Sequence, residues 1–142
     1  MAEPTSLAVG QSITSRSMRL TKEAMVEFAK EFDPQPMHVD ESAALDSFFG
    51  SLVASGWHAL ALTMRMAVEA RPFGGQPLIG AEISEIRFAK PIIPETNLAA
   101  RITLEAIEQG KGRSSYNILR VFTLDTATGE ILIRQKWRML RT

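Results

Sequence analysis

The sequence predicts an α+β fold in which an antiparallel sheet curls around one long helix. Three observations carry that prediction. Apolar residues recur with helical spacing only in the first half of the chain, between Thr21 and Ala70. From Ala81 onward the period changes to two, as in a strand with one covered face. Within the first half lies LVASGWHALALTM, so apolar that a helix over it should be covered on most sides. Helices early and strands late is the order of an α+β protein.

The elements follow in chain order. Gln11–Leu20 predicts a first strand. Thr21 reads as a helix N-cap, with Glu23 in the first turn where the helix dipole favours an acid. Ala24, Met25, Phe28, Ala29 and Phe32 then share one helical face. The pattern stops at Asp33-Pro34, because a residue before proline is pushed out of the α region. A short helix is expected from Glu41 to about Phe48, and a long one from Ser55 to about Ala70. Gly74-Gly75 and Pro77 mark the loop that follows.

In the strand half, Ile86 and Phe88 point opposite to Glu85 and Arg87. Leu98, Ala100, Ile102, Leu104 and Ala106 form one alternating set, and Tyr116, Ile118, Phe122 and Leu124 another. Ile131, Ile133, Trp137 and Met139 alternate with Leu132, Arg134, Lys136 and Arg138. Gln109–Gly112 and Thr126–Gly129 read as hairpin loops, and Pro91 and Pro94 separate the first two strands. A long apolar helix beside such a meander is the arrangement called a hot-dog fold, expected here as one domain over residues 1–142.

Composition narrows the function. Lys+Arg and Asp+Glu are both 16, so nothing in the charge balance favours nucleic acid or an anionic membrane. The absence of cysteine excludes disulfides, a cysteine nucleophile and thiolate metal sites. It fits a reducing, cytoplasmic compartment. MAEPTSLAVGQSIT lacks the basic and long apolar regions of a secretory signal. The most apolar stretch is shorter than a membrane span, and Arg65 and Glu69 follow it.

Only two histidines are present, His38 and His58. His58 lies early in the long helix beside Trp57 and reads as a core or interface histidine with one hydrogen bond, at a position that also allows it to line a site. His38 stands in FDPQPMHVD, five residues after Asp33. Pro34 and Pro36 fix φ and bias Asp33 and Gln35 to extended backbone, which stiffens the segment before any ligand arrives. An acid–base pair sharing one water suits that stiffness. A turn residue at a helix end followed by a surface histidine suits it equally, and the spacing leaves both open. Asp40 reads as the cap of the next helix. Ser55-Gly56 reads most simply as a cap followed by a close-packed glycine, although a helix N-terminus also suits an oxyanion. No phosphate loop, nucleophile elbow or full metal-ligand set is present. Arg134, Lys136 and Arg138 read as a solvated strand face.

Asp33-x-x-Pro36-x-His38-x-Asp40, then Phe48-Phe49-Gly50, then Ala54-Ser55-Gly56-Trp57 before an apolar helix resembles the MaoC-like dehydratases, which include the (R)-specific enoyl-CoA hydratases. The likeness extends through Phe88-Ala89-Lys90-Pro91-Ile92-Ile93-Pro94. It implies a hot-dog subunit that dimerises, with its site near the subunit interface. The substrate would be a 2-enoyl thioester of coenzyme A or a related carrier. Asp33 and His38 would be the catalytic acid–base pair, and the Gly56 N–H would hold the thioester oxygen. No metal or organic cofactor is implied. The chain departs from the family pattern at Phe32 (usually Gly), Gln35 (usually Asn), Ser55 (often His) and Ala61 (serine in some). The departures flank the acyl pocket, so Gln35, Ser55 and Trp57 are the expected substrate-binding residues. Two other classes compete. A hot-dog thioesterase would place a carboxylate on the central helix, which here carries only Glu69 near its far end. A non-catalytic acyl-thioester binding module would need no acid–base pair.

Overall fold

Each element forms for a local reason that the computed structural model, which describes residues 6–142, makes explicit. The chain opens with two short strands, β1 (Ser12–Thr14) and β2 (Met18–Leu20). The single first strand expected over Gln11–Leu20 is therefore interrupted. Ser15 is the cause: its N–H donates to the Ala100 carbonyl (2.8 Å), while its hydroxyl, not a carbonyl, accepts the Ala100 N–H (2.9 Å). Side-chain hydroxyls compete in this way with a regular ladder.

Helix α1 (Lys22–Phe32) begins where expected, with Thr21 accepting the Ala24 N–H at 3.2 Å. It buries Met25 and Ala29. The prolines then do more than stiffen a loop. Pro36 occupies the first position of a one-turn helix, α2 (Pro36–Val39), where its missing N–H is no loss. Asp40 caps α3 (Glu41–Leu45), accepting from the N–H groups of Ser42 and Ala43. Helix α4 (Gly56–Ala70) ends on Arg71 in the left-handed conformation.

Four strands complete the fold: β3 (Ile79–Phe88), β4 (Thr96–Gln109), β5 (Ser115–Asp125) and β6 (Ile131–Leu140). The sheet order is β1-β4-β5-β6-β3, all antiparallel, and β2 also pairs with β4. The sheet and α4 make the hot-dog arrangement. Its core joins Ala59, Met66 and Ala67 of α4 to Leu98, Ala100, Ile102 and Leu104 of β4, Leu119 and Val121 of β5, and Ile133, Trp137 and Met139 of β6.

The core face of β5 is its odd-numbered set. In register with Ala100, Ile102 and Leu104 stand Thr123, Val121 and Leu119, whereas the set Tyr116, Ile118, Phe122 and Leu124 takes the opposite face, with Ile118 and Leu124 still buried. Arg134, Lys136 and Arg138 are also not simply solvated. Arg138 lies over the Tyr116 ring at 3.6 Å, Arg134 over Phe122 at 5.9 Å, and Lys136 approaches Glu85 at 3.7 Å. Helix α4 is covered by the sheet and, at His58, by α1, but not all round: Trp57, Ala61 and Val68 are exposed. No helix among the described residues is long and apolar enough to cross a membrane.

Candidate active site

The C-terminus of α1 delivers Asp33. Its N–H still bonds the Ala29 carbonyl at 2.8 Å, but Pro34 prevents another turn. Gln35 is extended (φ −91°, ψ 148°), and α2 then carries His38 inward until it is buried. The His38 ring is fixed by a 2.7 Å hydrogen bond between Nδ1 and the Val53 carbonyl. A carbonyl only accepts, so Nδ1 carries a proton and Nε2 is the ring atom left to face Asp33. The Val53 N–H bonds the Met37 carbonyl in return at 3.1 Å, which ties the approach to α4 onto α2.

The two side chains meet. His38 Nε2 lies 3.4 Å from Asp33 Oδ2. Asp33 Oδ2 also accepts the Ser55 hydroxyl at 2.7 Å, and Oδ1 accepts the Gln35 amide at 2.6 Å. Desolvation pushes the Asp33 pKa up, but the donors Gln35 and Ser55 and the neighbouring His38 outweigh it and hold the carboxyl below its usual range. The 3.4 Å gap is too short for a water to sit between the two atoms, so a water bonded to both would lie to one side of it.

Ser55 precedes α4 in the N-cap position, yet its hydroxyl makes no capping bond and goes to Asp33 instead. Its carbonyl takes the N–H groups of His58 and Ala59. The Gly56 N–H has no acceptor among the described residues, at the positive end of the helix dipole. A Cβ here would stand 2.6 Å from Cε1 of the Phe88 ring, so any other residue would have to displace that ring.

These groups open into a pocket of about 590 Å³. Its walls are mainly apolar, from Met37, Phe48, Phe49, Trp57, Leu60, Ile86, Phe88, Ile92 and Ile133; Asp33, His38 and Lys90 are its ionisable residues. The Lys90 ammonium is paired with Glu130. Trp57 lines the pocket while remaining 66% exposed. Gln35 and Ser55 turn towards Asp33 and do not form the pocket wall.

His58 is buried but lies apart from this pocket, stacked on Phe28 at 4.5 Å. Its Nδ1 has no hydrogen-bond partner among the described residues, so the expected single bond is not found at that atom; burial lowers its pKa. Phe88, Ile86 and the Val53 carbonyl were not legible as site groups. Nothing in strand periodicity marks a pocket wall, and a carbonyl carries no sequence signal.

Comparison with known proteins gives a consistent picture. The family model described as MaoC like domain matches residues 5–124. The uncharacterized protein YdeM of Bacillus subtilis (strain 168) is 33% identical over 113 residues, covering 80% of this chain and 79% of YdeM. The crystal structure of a MaoC-like dehydratase from Rhodospirillum rubrum superposes with a TM-score of 0.88 at 38% identity, over 94% of this chain and 92% of that one. An (R)-hydratase from A. caviae involved in PHA biosynthesis shares the fold, with a TM-score of 0.70 at 21% identity over 96% and 98% of the two chains.

Proposed function

The chain belongs to the MaoC-like domain family, and from that premise we propose that it adds water to a 2-enoyl thioester, or removes it from the 3-hydroxyacyl thioester. The observation that carries this reading is the facing of Asp33 Oδ2 and His38 Nε2 across 3.4 Å at an apolar pocket. Water held by the pair attacks C3 of the enoyl group as one of its protons passes to it. The pair returns a proton to C2, so the elements of one water are added. The negative charge that gathers on the thioester oxygen during attack is taken by the Gly56 N–H. Coenzyme A is the expected thiol, as part of the substrate, and no cofactor takes part. The A. caviae protein is an (R)-hydratase, which supports an (R)-3-hydroxy product here.

We also propose a homodimer. Strand β3 is a sheet edge with Ile79, Ile83, Ile86 and Phe88 all at least 39% exposed, and the exposed Trp57 of α4 lines the pocket with Ile86 and Phe88. A long apolar edge of this kind normally pairs or is covered. The lack of cysteine supports a reducing, cytoplasmic setting.

The thioesterase reading has less support. Glu69, the one carboxylate on α4, is absent from the pocket wall and faces Arg65 at 3.7 Å. The test is ultraviolet: hydration removes the conjugated enoyl-thioester absorbance. Purified protein should bleach crotonyl-CoA or a longer or branched enoyl-CoA, with chiral analysis of the product. Thiol release without bleaching would point to a thioesterase. Thermal stabilisation with neither would point to a binding module.

A further inference from the structure

We propose that Ser55 and Gln35 are positioning residues that grip Asp33, one carboxylate oxygen each, and that neither contacts the acyl chain. This rests on the reading of Asp33 and His38 as the acid–base pair.

The geometry carries the assignment. Ser55 stands where serine ordinarily caps a helix, with its hydroxyl accepting an N–H of the first turn. Here the hydroxyl forgoes that bond and donates to Asp33 Oδ2 at 2.7 Å. Ser55 is fully buried, so this contact is held away from solvent. Gln35 is exposed, but its backbone is pinned between Pro34 and Pro36, and its amide donates to Oδ1 at 2.6 Å. Two donors on the two oxygens fix the plane of the carboxylate as well as its place. The opposing ring is fixed independently through the Val53 carbonyl. The 3.4 Å gap between Oδ2 and Nε2 is thus defined from both sides before a ligand enters. A site displaced by about 1 Å can lose about 100-fold in rate, so such a grip has a measurable consequence.

Both donors favour the ionised carboxyl and, with His38, offset its burial. The titratable groups near Asp33 are few. His38 faces it from α2, and Lys90 on the pocket wall is engaged by Glu130.

The test combines titration with kinetics in the full chain. The Asp33 carboxyl is followed by carbon NMR against pH in the wild type and in Ser55→Ala, Gln35→Leu and Gln35→Glu. Removing a donor should raise the Asp33 pKa, and Gln35→Glu should raise it most, because a second carboxylate repels the first. With an active enoyl thioester, kcat should fall by about 10- to 100-fold, and the acid limb of its pH profile should move up by the same shift. KM should stay within about twofold across chain lengths, since uniform binding is untouched. Unchanged Asp33 titration, or a KM that rises with chain length while kcat holds, would overturn the proposal and make these residues substrate contacts. If the wild type turns over no enoyl thioester, the proposed function falls, while the NMR arm still decides whether the grip exists. Gln35 is exposed, so its variants should fold even if Ser55→Ala does not.

Discussion

At Asp33 two demands oppose each other. Burial disfavours its charge, and the donors Gln35 and Ser55, together with His38, restore it, leaving the pKa below the usual carboxylate range. A depressed folded-state pKa stabilises the fold above the unfolded value of about 3.9, and the contribution is lost as pH falls through the folded value. Asp33→Asn removes that linkage but keeps a side chain that Ser55 and Gln35 can still bond. The expected result is a melting temperature below wild type at pH 7, with the gap closing as the pH approaches 2. A gap constant with pH would mean the carboxylate charge adds nothing to folding. The pair itself was legible, because Pro34 and Pro36 bracket a short local segment. The contacts that complete it were not. Ser55 reaches Asp33 from 22 residues away and the Val53 carbonyl reaches His38 from 15, and the sequence around Ser55 read more simply as a cap.

Among the elements, α4 is fastened to the sheet by one buried polar contact. Thr63 donates to the Ala59 carbonyl at 2.7 Å and meets the Thr123 hydroxyl of β5 at 2.5 Å, with both residues fully buried. With its own hydrogen committed to Ala59, Thr63 accepts from Thr123. Thr63→Val should therefore orphan the Thr123 hydroxyl and destabilise by about 1–3 kcal/mol, whereas Thr63→Val with Thr123→Val should recover most of the loss. Denaturant unfolding of the four proteins of this cycle measures it, and additive losses would refute the coupling. The same residue explains why alternation left the core face of β5 open. Thr123 and Asn117 dilute that face with polar groups, while Tyr116, Ile118, Phe122 and Leu124 make the opposite face the more apolar one. Alternation gave the strand but could not choose its side. On the same core face Gln135 accepts from the Trp137 indole at 2.8 Å, leaving its Nε2 without a partner among the described residues; the structure shows no compensation for it. The helices were more legible, because Thr21, Asp40 and Pro34 carry local stop and start signals. The use of Pro36 to begin α2 was missed, and α3 ends at Leu45 rather than near Phe48.

At the scale of the whole molecule, the apolar faces of β3 and α4 and the pocket lie together, since Ile86, Phe88 and Trp57 belong to both. If a second copy covers this edge, Ile83→Lys should yield a monomer at micromolar concentration, as edge lysines oppose strand pairing. Sedimentation would show it, and a wild-type monomer would remove the dimer from the account. The helix-then-strand order made the fold readable, but an edge reads as an apolar strand whether or not something covers it. The central claim concerns the pair at the mouth of this pocket. Its most direct measurement is the initial rate of crotonyl-CoA bleaching by wild type, Asp33→Asn and His38→Ala, compared at equal folded fraction. Each substitution should lower kcat by at least about 100-fold. Wild-type rates in both variants would contradict acid–base catalysis by Asp33 and His38.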